Sequence, residues 1–281
     1  MPLALRYEYG GAAFPLFECA RCGMRFLRAQ PTPESLALLY SPEYFERDFR
    51  CGRSEVGYYD EDAFHDENRG LLDAFERLTP PGRLLEVGCA GGWLLKQARE
   101  RGWAAQGVEL SAEAAARAHA LGLDVHVGDL ATARLPADRF DLVYMGDVLE
   151  HVPDCRATLA EVTRVLKPGG WLYLRGPITT HSLARSLALA AYRLAGREIV
   201  LHEPPYHLWE FTPRPLGRLA RAVGLEVRRM TQSKIPPGRP HGDKTGSQRA
   251  AMAVLDGVNL ALTSAFNLRG DRVVMLARKP G

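Results

Sequence analysis

Between Arg83 and Arg175 the chain alternates short apolar runs with helical ones, and this alternation restricts the fold more than any other feature. Arg83–Val87, Ala104–Leu110, Val125–Val127, Phe140–Met145 and Trp171–Arg175 read as strands. Trp93–Arg101, Ala112–Leu121 and Asp147–Leu166 read as helices between them, the last stopped by Lys167-Pro168-Gly169-Gly170. Strands that alternate with helices predict a parallel sheet with right-handed crossovers. Further on come a helix over Thr180–Ala195, a helix over Leu216–Val223, a strand over Leu225–Met230, a helix over Arg249–Thr263 and a strand over Asp271–Ala277. That order predicts an α/β fold, a doubly wound seven-stranded sheet, mostly parallel with one antiparallel member.

The first strand runs directly into Glu86-Val87-Gly88-Cys89-Ala90-Gly91-Gly92-Trp93. Small residues let the backbone approach a ligand closely, and the helix that follows offers unpaired N–H groups. A dinucleotide fingerprint needs glycine at the sixth position of this loop, where Trp93 stands, which disfavours a nicotinamide dehydrogenase. The small residues fall instead at 88, 90 and 92, with an acid two places before the first.

This spacing resembles motif I of the class I S-adenosylmethionine-dependent methyltransferases, E/D-x-G-x-G-x-G, with Ala90 in the middle glycine place. Three further elements match in order: Gly107-Val108-Glu109-Leu110, Gly128-Asp129-Leu130, and Phe140–Met145 followed by Leu166–Trp171. The resemblance implies a Rossmann-like methyltransferase that takes S-adenosyl-L-methionine and releases S-adenosyl-L-homocysteine. It implies a cofactor site of Glu86, Gly88, Cys89, Ala90, Gly92, Glu109, Leu110, Asp129, Leu130, Met145 and Gly146. Glu109 is expected on the ribose hydroxyls and Asp129 near the adenine amino group. The flanks resemble a small-molecule branch of the family: Cys19-Ala-Arg-Cys22-Gly23 is similar to half of its zinc knuckle, and His207-Leu208-Trp209-Glu210-Phe211-Thr212 to its H-x-x-x-F-T element. Members act on sugars, lipids, quinones and secondary metabolites. O- or N-methylation of such an acceptor is the expected activity, and a non-catalytic methyltransferase-like binding subunit is the alternative.

Methyl transfer is an in-line displacement in which the protein positions the nucleophile and removes its proton. The candidate catalytic residues are His207 and His151, since histidine titrates near neutrality and both fall on the carboxyl side of strands. On a helix, Asp147, Glu150 and His151 would share one face, resembling the D/E-x-x-E-H metal site of quinone-biosynthesis O-methyltransferases. Those letters also occur in relatives without metal, and the expectation is none. Cys19 and Cys22 supply only half a tetrahedral zinc site, so zinc is not expected there either.

Residues 1–60 are expected to form an N-terminal extension and residues 61–281 the methyltransferase domain, with a lid insertion over about 176–215. A loop over about 231–248, carrying Lys234, Arg239 and Lys244, is expected to form a rim for an acidic or carrier-bound substrate. A short helix over Ser35–Tyr40 and an aromatic cluster of Tyr44, Phe45, Phe49, Tyr58 and Tyr59 precede the domain. The formal net charge of +3 is too small to imply nucleic-acid binding. No apolar run approaches the roughly 20 residues that would cross a membrane. Five scattered cysteines fit a reducing cytoplasm rather than a disulfide framework.

Overall fold

In chain order, the computed structural model begins with three strands, β1 (Pro2–Tyr9), β2 (Ala12–Glu18) and β3 (Arg25–Leu27). Helix α1 (Glu61–Glu76) leads into β4 (Arg83–Val87), α2 (Trp93–Glu100), β5 (Ala104–Glu109), α3 (Ala112–Ala120), β6 (Asp124–Val127) and β7 (Phe140–Gly146). Then follow α4 (Cys155–Val165), β8 (Leu166–Pro177), a 3₁₀ turn (Thr179–His181), α5 (Leu183–Leu194), β9 (Ile199–Leu201) and β10 (Trp209–Glu210). The chain closes with α6 (Pro213–Ala222), β11 (Glu226–Ser233), α7 (Gly246–Phe266) and β12 (Arg272–Arg278). The structure describes residues 1–29, 32, 61–234 and 246–281. The expected helix over Ser35–Tyr40, the aromatic cluster, and Arg239 and Lys244 lie outside these residues.

The seven-stranded sheet has the order β11-β12-β8-β7-β4-β5-β6. Strands β4 to β8 are mutually parallel, and β12 runs antiparallel between β8 and β11, as the sequence order predicts. Strands buried on both faces read as continuous apolar runs, and Leu84, Leu85, Leu142 and Val143 are wholly buried. Burying each such side chain contributes roughly 1.5–3 kcal/mol. Strand β4 pairs with both β5 and β7, so the loops after β4 and β7 diverge at a topological switch point. Ligands of such sheets bind there, outside the carboxyl ends of the strands.

One expectation is corrected. The helix expected over Asp147–Leu166 begins only at Cys155. Pro153 disfavours helical backbone at Val152, and the Asp154 carboxylate caps the helix by accepting from the amides of Arg156 (3.0 Å) and Ala157 (2.9 Å). The described residues of the N-terminal extension fold into a second sheet of order β10-β3-β2-β1-β9. Strands β1 and β2 form a hairpin around Gly10-Gly11, both in the left-handed region (φ +58° and +78°), as a tight two-residue turn requires. Strand β9 adds in parallel to β1 and β10 antiparallel to β3, so the insertion after β8 completes the sheet that the N-terminus begins. Helix α5, capped by Ser182, contacts β1 and α7.

Candidate active site

At two positions the loop after β4 has backbone that leaves no room for a side chain. A Cβ on Gly88 (φ +75°) would lie 2.5 Å from Val148 Cγ2, and one on Gly92 (φ +83°) 2.5 Å from Leu123 Cδ1. Between them Ala90 holds a left-handed conformation, φ +45°, that favours glycine. Gly92 caps α2 without a side-chain hydrogen bond, which leaves first-turn amides of the helix facing the loop.

Glu109 ties this loop to the next one. Its Oε2 accepts from the Ala90 amide at 2.9 Å and its Oε1 from the Ser111 amide at 2.8 Å. A carboxylate has about four acceptor sites, so both oxygens keep capacity for a ligand's hydroxyl groups. Burial pushes its pKa up, and the amide hydrogen bonds oppose that shift. Glu86 is buried, and among the described residues its Oε2 has no hydrogen-bond partner. Burial, reinforced by the Glu109 charge and opposed by Arg175, raises the Glu86 pKa to about 8.

Leu110 is 47% exposed and Val127 45%, which places two apolar side chains at the carboxyl ends of β5 and β6. Asp129 accepts from the Thr132 amide at 2.7 Å and organises the turn after β6. Cys89, Leu130 and Met145 turn their side chains into the core, so only their main chain can face a ligand. Gly146 closes β7, and the ion pair of Arg175 with Glu67, set over the Tyr144 ring, backs this edge. Neither partner of that pair stands out in the sequence.

The corrected start of α4 changes the expected trio. Asp147 adopts left-handed backbone (φ +56°) and forms an ion pair with Arg272, away from any shared helical face. Residues 147–154 instead form a loop stapled to the approach to β10. The Glu150 carbonyl accepts from the amides of Leu208 (2.9 Å) and Trp209 (3.2 Å), and the Val152 carbonyl from Trp209 Nε1 (2.7 Å). These bonds bring His151 and His207 together, ring centroids 5.0 Å apart and edge to face.

The two imidazoles are held differently. His151 Nδ1 lies 2.8 Å from the Tyr206 carbonyl, which can only accept, so Nδ1 carries the proton and Nε2 the lone pair. Burial and the neighbouring His207 push its pKa well down. Burial alone would do the same to His207, but its Nδ1 lies 3.3 Å from Glu210 Oε1, and the carboxylate raises its pKa to about 9. At neutral pH the pair therefore holds one neutral and one protonated ring. Glu150 Oε1 lies 3.8 Å from His151 Nε2, and burial beside Asp147 pushes the Glu150 pKa up. Glu150, His151 and His207 place one ligand atom each within 4.8 Å of one another, a spacing a divalent cation could use once His207 lost its proton.

The expected rim is partly overturned. Lys234 Nζ lies 2.7 Å from Asp271 and 3.1 Å from Asp256, so its charge is neutralised within the fold. Cys19 and Cys22 sit in a tight turn in which the Gly23 amide donates to the Cys19 carbonyl at 2.8 Å. Among the described residues, no helix is long and apolar enough to cross a membrane.

Residues 59–229 match a family model described as a methyltransferase domain. The ubiquinone biosynthesis O-methyltransferase of Thiobacillus denitrificans is 34% identical over 168 residues, covering 55% of this chain and 69% of that protein. The protein of the same name from Chromobacterium violaceum is 31% identical over 180 residues, covering 59% of this chain and 75% of its own. Among solved structures, an S-adenosylmethionine-dependent methyltransferase from Mesorhizobium loti superposes with a TM-score of 0.51 at 21% identity, covering 74% of this chain and 96% of that one. That likeness speaks to the fold.

Proposed function

The chain belongs to the class I S-adenosylmethionine-dependent methyltransferases, and from that premise we propose that it methylates a hydroxyl oxygen of a small, quinol-type aromatic acceptor. The shared name of the relatives supports oxygen as the acceptor atom. The observation that carries the chemistry is the pair of edge-to-face imidazoles, 5.0 Å apart at the carboxyl edge of the sheet, one held by a carbonyl and the other by a carboxylate.

The residues present fit S-adenosylmethionine. Glu109 would hold the ribose hydroxyls, Leu110 and the turn at Asp129 and Leu130 the adenine. The amides of Gly88–Gly92, with Glu86 and Gly146, would hold the amino-acid end. The orphaned buried Oε2 of Glu86 and the close-approach glycines support that assignment. When bound, the cofactor supplies an electrophilic methyl group on a sulfonium. A neutral hydroxyl attacks such a carbon poorly; His151 Nε2 carries the lone pair placed to take the acceptor's proton as the bond forms, and its lowered basicity favours acceptors whose hydroxyl is already acidic. Its tautomer and ring plane are set by the Tyr206 carbonyl. The His207 imidazolium stabilises the oxygen as negative charge develops on it. An acidic group on the acceptor would meet His207 and Arg185, which lies close enough to Glu210 to stabilise that carboxylate, rather than Lys234. The sheet shared by the N-terminal strands and the 199–210 segment would wall the acceptor side. A non-catalytic binding subunit would have no use for this paired proton acceptor and donor.

The test uses 3,4-dihydroxybenzoate as probe acceptor and follows S-adenosylhomocysteine release. His151→Ala should lower kcat by on the order of 10²–10⁴ with S-adenosylhomocysteine affinity unchanged. Wild-type kcat in that variant, or methyl found on carbon or nitrogen of tested acceptors but never on oxygen, refutes the reading.

A further inference from the structure

We infer that the N-terminal hairpin belongs to the catalytic apparatus: Tyr7 of β1 and Glu210 of β10 are positioning residues that hold the His207 ring against His151. The inference rests on the function proposed above for the histidine pair. Tyr7 lies outside the residues 59–229 that the family model matches, and Glu210 lies within them.

Glu210 is 4% exposed, and a carboxylate so deeply buried is costly unless donors surround it. Three donors from three separate segments do so. Its Oε1 accepts from the Tyr7 hydroxyl and from His207 Nδ1, each at 3.3 Å, and its Oε2 from Thr179 Oγ1 at 3.4 Å. Tyr7 is itself buried, and its hydroxyl reaches a residue 203 positions away in sequence. Strand pairing makes this possible. Tyr7 stands opposite Leu201 of β9 and Glu210 opposite Arg25 of β3, so the two strands of the 199–210 segment join the hairpin sheet from both sides and bring the carboxylate to the hydroxyl.

The consequence falls on His207. A buried carboxylate on Nδ1 fixes the plane of an imidazole and directs Nε2 outward, as a structural carboxylate does in a Ser-His-Asp triad. The other groups that face His207 are His151, Glu150 and Asp147, all from the loop after β7. Among the described residues the hydrogen-bond partner of His207 Nδ1 is Glu210, so Glu210 sets the ring on that side. Arg185 from α5 faces Glu210 as well and supports its ionised form. Without the Tyr7 hydroxyl, Glu210 Oε1 keeps one donor and gains freedom to turn.

The experiment uses the full chain as wild type, Tyr7→Phe, Glu210→Gln and His207→Ala, and each of the first two substitutions combined with His207→Ala. Thermal melting and S-adenosylhomocysteine affinity are measured beside kcat and KM for the hydroxyl acceptor. Glu210→Gln should lower kcat by on the order of tenfold or more and Tyr7→Phe by about threefold, with KM and S-adenosylhomocysteine affinity within about twofold. On the His207→Ala background neither substitution should lower kcat further, since both act through that ring. If Glu210→Gln fails to fold, the Tyr7→Phe pair tests the same coupling. Losses that multiply on the His207→Ala background, or wild-type kcat in both single variants, overturn the positioning role while leaving the histidine chemistry intact. Wild-type kcat in His207→Ala would instead remove the functional reading on which the inference stands.

Discussion

Glu86 gives the sharpest test of how the cofactor end of the site is built. Its carboxyl is buried, one oxygen lacks a hydrogen-bond partner among the described residues, and its pKa rises from an ordinary 4.5 to about 8. Below pH 4.5 the group is neutral in both folded and unfolded chains and carries no penalty. Between 4.5 and 8 only the unfolded chain ionises, so the folded state binds more protons and stability falls as pH rises. At about 1.4 kcal/mol per pH unit, the penalty is roughly 3 kcal/mol at pH 7 and roughly 5 kcal/mol above pH 8. Glu86→Gln keeps the shape and removes the titration, so its stability relative to wild type should grow by about 3 kcal/mol between pH 5.5 and pH 8. Urea unfolding at several pH values measures this. The ionised carboxylate is also what a cationic ligand would favour. Cofactor binding at neutral pH should therefore release a proton in wild type and not in Glu86→Gln, read by calorimetry in buffers of different ionisation enthalpy. A stability difference that stays flat with pH, or equal proton release in both proteins, refutes the reasoning.

Ala90→Gly should relieve about 1–2 kcal/mol of left-handed strain and lose about 0.4–1 kcal/mol to the freer unfolded chain, leaving a small net stabilisation in urea melts. A loss of stability would show that the left-handed backbone at 90 is not strained. Neither the Cys19–Cys22 turn nor the Glu150, His151 and His207 cluster is expected to hold metal, so dialysis against a chelator should leave kcat unchanged. One equivalent of zinc lost in Cys22→Ser, or activity restored only by a divalent cation, would overturn this.

What the sequence revealed and what it hid follow from the range of the contacts involved. The loop after β4 was legible because its constraints are local: Gly88 and Gly92 need positive φ, and the acid at 86 is fixed by its place on the strand. The hairpin is equally local, since Gly10-Gly11 between Tyr7, Tyr9, Phe14 and Leu16 is a two-residue turn signal. The helix expected from Asp147 starts late because Pro153 and the Asp154 cap, both visible in the sequence, place its first turn at Cys155. Yet the expectation that His151 and His207 lie on one edge did not depend on that helix. It depended on both residues following parallel strands, β7 and β8, whose loops must leave the sheet on the same side. Tyr7 and Glu210 were beyond reach for the opposite reason. Their contact joins residues 203 positions apart through a sheet that the 199–210 segment completes, and a slip of one residue between β1 and β2 would turn Tyr7 to the other face of that sheet.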